Sequence, residues 1–288
     1  MKFNKTLAIA VISSAAILSA YTHAATPTQP KLSVQLWSVK DAVSADFEGT
    51  LKQLKAYGFQ GVEFAGVFGK YTDDPQGLKA FLKKTGLEIA AAHVPFDKLS
   101  PENFEKTVAF YKAIGCKYLI IPMDKRAFTP EGAKEVAAEL EAIEKKLAPH
   151  GMHTGYHNHK PEMLGETGKT PWDVIGTSTS HGVVLQQDVG WTEVAGKNPV
   201  DFVKAYPGRT IVTHYKAAAP DEGNKEDPII GKDTTDWKAL IAANRAVGGT
   251  LWLTVEQEVY PEGMTPMQSV EASLKGLQKE IAELDKKK

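Results

Sequence analysis

The chain has 288 residues, 42% hydrophobic and 24% charged, and its 34 basic and 35 acidic side chains leave a formal net charge of −1. That balance excludes a disordered or fibrous chain and gives no general pull toward nucleic acid or an anionic membrane. Cys116 is the single cysteine, so no disulfide framework holds the fold within the chain.

Residues 1–24 stand apart from the rest. Lys2 and Lys5 form a basic start, Leu7 to Leu18 is an apolar run too short to span a bilayer comfortably, and Thr22-His23-Ala24 puts small residues at positions −3 and −1 of a cleavage site. The expectation is a secretory signal peptide cut after Ala24, a linker over 25–31 and one domain over 32–288; an uncleaved membrane anchor is the alternative. No cysteine lies at the cut, which excludes lipid attachment there. Losing Lys2 and Lys5 changes 34−35 to 32−35, a net charge of −3. The mature protein is therefore expected to be periplasmic or secreted, without stable membrane association.

In chain order, eight short apolar runs read as strands: Leu32–Val39, Gly61–Ala65, Glu88–Val94, Lys117–Met123, Met152–His159, Gly182–Val189, Thr210–Lys216 and Thr250–Glu256. Helical periodicity fills the gaps, with Phe47, Leu51 and Leu54 on one face, then Val136, Leu140, Ile143 and Leu147, and last Val270, Leu274, Leu277 and Ile281. Six cap-and-proline pairs announce helix starts: Asp74-Pro75, Ser100-Pro101, Thr129-Pro130, Thr170-Pro171, Asn198-Pro199 and Thr265-Pro266. Gly58, Gly86, Gly115, Gly151 and Gly248 stand where left-handed C-caps are wanted.

Eight uninterrupted strand–helix units predict an α/β fold, a single-domain (β/α)8 TIM barrel, which typically takes about 250 residues. The rival is a doubly wound open sheet, but no strand is followed by a G-x-G-x-x-G or Walker motif. The longest connection, Ala217–Thr235, reads as a functional loop after strand seven.

Barrel chemistry collects at the C-terminal strand ends, and polar residues gather there. Glu63 ends strand two, His93 strand three, His157 and His159 strand five, Asp188 strand six, His214 and Lys216 strand seven, and Glu256 strand eight. Residues two apart on a strand share a face, which pairs His157 with His159, Gln186 with Asp188 and His214 with Lys216. Carboxylates and imidazoles in one mouth suit a divalent ion with open positions for substrate: Mn²⁺, Co²⁺, Zn²⁺, Fe²⁺ or Mg²⁺. Taken singly, His93 also reads as a core histidine and Glu63 as the partner of a rim lysine. Asp188 and Glu256 interrupt apolar strands, where a buried acid is costly without a cation.

Several segments together resemble the xylose-isomerase-like TIM-barrel superfamily, the sugar phosphate isomerase/epimerase group. They are Val34-Gln35-Leu36-Trp37-Ser38-Val39, Gly61-Val62-Glu63-Phe64, Ala92-His93-Val94-Pro95, Gly155-Tyr156-His157-Asn158-His159, Gln187-Asp188-Val189-Gly190-Trp191, His214-Tyr215-Lys216 and Val255-Glu256-Gln257. The resemblance implies one metal ion on Asp188, His214 and Glu256. It also exposes a departure, because His157 stands where many relatives place a glutamate; His157 is then the fourth ligand, with Glu162 as the alternative. Proton chemistry falls on His159, Glu256, Glu63 and Lys216, and substrate contacts on Trp37, His93, Gln186 and Trp191. The histidine variant resembles the branch that includes inosose dehydratase.

The implied activity is proton abstraction next to a carbonyl of a free or keto-sugar, with the metal holding a developing enediolate. Isomerisation and epimerisation lead, and elimination by a lyase or dehydratase shares the same intermediate. A non-catalytic sugar-binding barrel is a further alternative. A nuclease needs more metal ligands and a basic face, which the charge of −3 opposes.

Overall fold

The computed structural model describes residues 29–218 and 228–286. The expected signal peptide, most of the linker and the centre of the loop after strand seven lie outside the described residues, as do Lys287 and Lys288 of the C-terminal tail.

Eight parallel strands form one sheet in the order β6-β5-β4-β3-β2-β1-β8-β7. They are β1 Lys31–Gln35, β2 Gly61–Phe64, β3 Glu88–His93, β4 Tyr118–Ile121, β5 His153–His157, β6 Val184–Gln186, β7 Val212–Tyr215 and β8 Trp252–Val255. The barrel is nearly closed. Between β6 and β7 the ladder reduces to a single parallel bridge, Asp188 to His214, where the His214 N–H donates to the Gln187 carbonyl at 2.8 Å.

The observed strands are shorter than the apolar runs. β1 passes into a 3-10 turn at Leu36–Val39 because the Gln35 side chain accepts from the Trp37 N–H and turns the chain. β5 ends at His157 and β6 at Gln186, which places His159 and Asp188 beyond the strands rather than on them.

Among the described residues, ten α-helices surround the barrel: α1 Lys40–Ala45, α2 Phe47–Tyr57, α3 Pro75–Thr85, α4 Phe104–Ile114, α5 Pro130–Leu147, α6 Pro171–Ser178, α7 Val189–Val194, α8 Pro199–Ala205, α9 Trp237–Ala243 and α10 Pro266–Asp285. Five of the six cap-and-proline pairs open helices as read, each cap oxygen accepting from a first-turn N–H. Ser100-Pro101 does not. It makes a turn, and α4 starts at Phe104 without a side-chain cap. Gly248 likewise closes a π turn, and the left-handed residue is Gly249.

Leu51 and Leu54 of α2, Leu140 of α5 and Leu274 of α10 are fully buried against the sheet, each contributing roughly 1.5–3 kcal/mol. Trp252 plugs the N-terminal end of the barrel. A Cβ on Gly61 would meet its ring at 2.7 Å, so only glycine fits there. With the bottom sealed, the barrel opens at its C-terminal end. Among the described residues no helix is long and apolar enough to cross a membrane.

Candidate metal centre and cavity

His157, Asp188, His214 and Glu256 converge at that end, with one ligand atom from each lying within 4.8 Å of the others. The loop geometry explains how. Asp188 caps α7, its Oδ1 accepting from the Trp191 N–H at 2.8 Å, while its own N–H donates to Asn158 Oδ1 at 2.8 Å. The carboxylate is thereby fixed, and Oδ2 is left buried with no partner. His157 Nε2 lies 3.9 Å and His214 Nδ1 4.0 Å from that oxygen, and His214 Nδ1 lies 3.0 Å from Glu256 Oε2.

Ligand atoms about one ion at ~2.0–2.3 Å stand roughly 3–4.5 Å apart, so these residues fit a divalent cation. Asp188 Oδ2, buried without a hydrogen-bond partner and with the Lys216 ammonium 3.8 Å away, supports the same reading, since a buried carboxylate oxygen is costly when no donor or ligand meets it.

His214 lies between two acids, Glu256 at Nδ1 and Glu63 Oε2 at Nε2, 2.8 Å away. Burial works against its charge, but Glu256 and Glu63 outweigh burial and raise it to about 10. Burial raises the Asp188 carboxyl, opposed by Lys216. Burial also pushes Glu256 up, yet His214 and Lys216 hold it well below the carboxylate range.

Glu63 stands near the end of β2 as read, but deeper than a substrate contact. Its carboxylate is fully buried under the cluster, accepts from Gln186 Nε2 at 2.9 Å and lies 3.2 Å from His93 Nε2. It is not among the residues lining the cavity above the cluster and meets His214 Nε2 instead, an arrangement that orients the ring with Nδ1 toward the cluster. Gln186 belongs to the same support, its Oε1 accepting from His93 at 2.8 Å, rather than to a substrate-facing surface. Glu63, His93 and Gln186 thus act as one brace.

A cavity of about 720 Å³ opens above, and His93, His157, His159, Glu256 and Glu258 line its inner end. Trp37, 44% exposed, stands at its mouth with Lys40 over the ring at 4.0 Å. His159 packs edge-on against His157 with ring centroids 4.9 Å apart, and burial brings its pKa down to about 4. Lys216 does not reach the cavity. It is buried, pairs with Glu258, stands 3.8 Å from both Asp188 Oδ2 and Glu256 Oε2, and lies 4.6 Å over the Trp191 ring. Trp191 is drawn to Lys216 and His159 and is not part of the cavity wall.

Glu162 is not brought to the cluster. Its two oxygens take the Tyr156 hydroxyl at 2.9 Å and the His159 N–H at 3.0 Å. Glu258 is the residue the sequence reading missed. Its signal was the alternation Glu256-Gln257-Glu258, which carries the strand-eight face one step further out.

A family model described as xylose isomerase-like TIM barrel matches residues 51–280. An inosose dehydratase of Lacticaseibacillus casei is 25% identical over 260 residues, covering 77% of this chain and 85% of that protein. A sugar phosphate isomerase/epimerase from Parabacteroides distasonis superposes with a TM-score of 0.73 at 21% identity, over 93% of this chain and 98% of its own. The 3-keto-D-glucoside 4-epimerase YcjR of E. coli gives 0.62 at 18% identity, over 87% and 100%. The IOLI protein with a bound zinc atom gives 0.62 at 14%, over 88% and 99%. With most of its length matched by the family model and its eight strands in barrel order, the chain belongs to the xylose isomerase-like TIM barrel family.

Proposed function

We infer that the protein is an enzyme acting on carbohydrates: an exported, metal-dependent isomerase or epimerase that removes a proton next to the carbonyl of a free or keto-oxidised sugar. The observation that carries this reading is the buried quartet His157, Asp188, His214 and Glu256, with its orphaned Asp188 oxygen, beneath a cavity that His157 and Glu256 help to line. A divalent cation held by these four residues supplies Lewis-acid stabilisation of charge developing on a carbonyl oxygen.

The other roles fall to side chains. His159 lines the cavity and its buried Nδ1 has no partner, so it is placed to take up the substrate proton. His93 and Trp37 line the cavity and contact the sugar. Lys216 offsets the carboxylates from behind, and Glu258 sets where its ammonium points. Elimination is the second reading, favoured by the inosose dehydratase among the relatives, because loss of a β-oxygen follows the same proton abstraction. Export rests on the basic start, apolar run and Ala24 cleavage pattern.

The test is solvent exchange. Metal-loaded protein in D₂O with a panel of keto-sugars should place deuterium next to the carbonyl. A chelator should stop the exchange, and His159→Ala should abolish it. Tight sugar binding with no exchange at all would leave a non-catalytic binding barrel instead.

A further inference from the structure

The cavity is larger and more apolar than a single sugar ring requires. At about 720 Å³ it has the size of pockets that enclose drug-sized ligands. Thr72, Asp73, Lys106, Thr107 and Tyr111 add polar groups to its lining. The inner end carries the histidines and glutamates, and the outer rim carries exposed groups such as Lys98 and Asn103. The wall between is made by Phe68, Val94, Pro95, Phe110, Pro122 and Met123.

This wall is built rather than accidental. Phe68 is buried and meets Phe110 edge-on at 4.8 Å, while Phe64 supports it from behind at 5.1 Å. Phe110 itself is only half-buried, and Met123 is 47% exposed, as large apolar groups facing open space. None of these six side chains carries a hydrogen-bonding N or O atom, and the polar groups nearest them in sequence on the lining are few, Thr107 and Tyr111 among them. A second sugar placed there would therefore lose hydrogen bonds to water for few in return. An aromatic ring would gain edge and face contacts with Phe68 and Phe110 and a sulfur contact with Met123.

We propose that the substrate is a keto-glycoside bearing an apolar, aromatic aglycone, with the sugar at the histidine end and the aglycone along the Phe68–Phe110–Met123 wall. This rests on the reading that the inner end takes a keto-sugar. It adds what the outer part of the cavity selects.

The experiment compares methyl and 4-nitrophenyl glucosides, and a glucose disaccharide, each oxidised to a ketone at one ring hydroxyl. kcat/KM for deuterium exchange and Kd by equilibrium dialysis are both measured. The aryl compound should exceed the methyl compound about tenfold or more in each, as expected for burying one aromatic ring. Phe110→Ser should collapse that ratio through KM rather than kcat. Met123→Glu, at an exposed position that tolerates charge, should weaken the aryl compound in the same way. Equal values for aryl and methyl compounds, or a disaccharide preferred over both, would overturn the proposal. Should no compound exchange deuterium, the keto-sugar chemistry fails, and the Kd ratio still decides the aromatic subsite.

Discussion

Two histidine–carboxylate pairs occupy opposite ends of the barrel. At the N-terminal end His153 Nδ1 lies 2.7 Å from Glu144 Oε1, and Glu144 Oε2 accepts from the Thr154 N–H at 2.9 Å. The His153 ring is 39% exposed and stacks on Tyr118, so each carboxylate oxygen has a partner and the imidazole reaches water. At the C-terminal end His214 is enclosed by Glu63 and Glu256, no water reaches it, and Asp188 Oδ2 and His157 Nδ1 next to it have no partner. The residue types are the same. Leftover bonding capacity in a dry place separates a site from a structural pair.

The largest contrast should come from Asp188→Ala, which removes the orphaned oxygen. Metal content by elemental analysis and turnover should fall to background together, and unchanged metal content would refute the site as drawn. Glu63→Gln should cost roughly 10–100-fold in metal affinity by titration calorimetry, because the brace on His214 Nε2 is lost while the ligands stay. An unaltered affinity would return Glu63 to a purely packing role.

Glu144→Ala tests the opposite end. It should lower stability by about 1–3 kcal/mol in urea unfolding, since the buried Thr154 N–H loses its acceptor, with metal content and turnover unaffected. The smallest effect is a slope. Burial pushes Glu162 up to about 7 from 4.5, so the folded state binds more protons than the unfolded one between those values. Its contribution to stability is present below pH 4.5 and lost as pH rises through 7. With chelator present, Glu162→Gln should flatten the fall in Tm over that range; a parallel fall would show that Glu162 does not titrate there.

Much of this was legible in the sequence because strand ends in a closed barrel must share one mouth. Knowing that His157, Asp188, His214 and Glu256 lie at or just past the ends of successive strands was enough to bring them together. The roles of Glu63 and Gln186 were not legible. Their strand positions say that they point inward but not how deep they lie, and depth decides whether a carboxylate meets substrate or braces a histidine. Glu162 escaped for another reason: Tyr156, three-dimensionally adjacent, claims it, and no spacing rule announces that bond. Ser100-Pro101 shows the limit of local signals, since a cap-and-proline pair can also make a plain turn.

The single bridge between β6 and β7 joins Asp188 to His214, so the seam of the barrel and two of the four candidate ligands are the same residues. Anything bound between them acts as a rivet across the weakest joint of the sheet. Occupancy there is coupled to heat resistance, and an ion at a hundred times its Kd would add about 2.7 kcal/mol. The candidate metal centre is also the clasp of the fold.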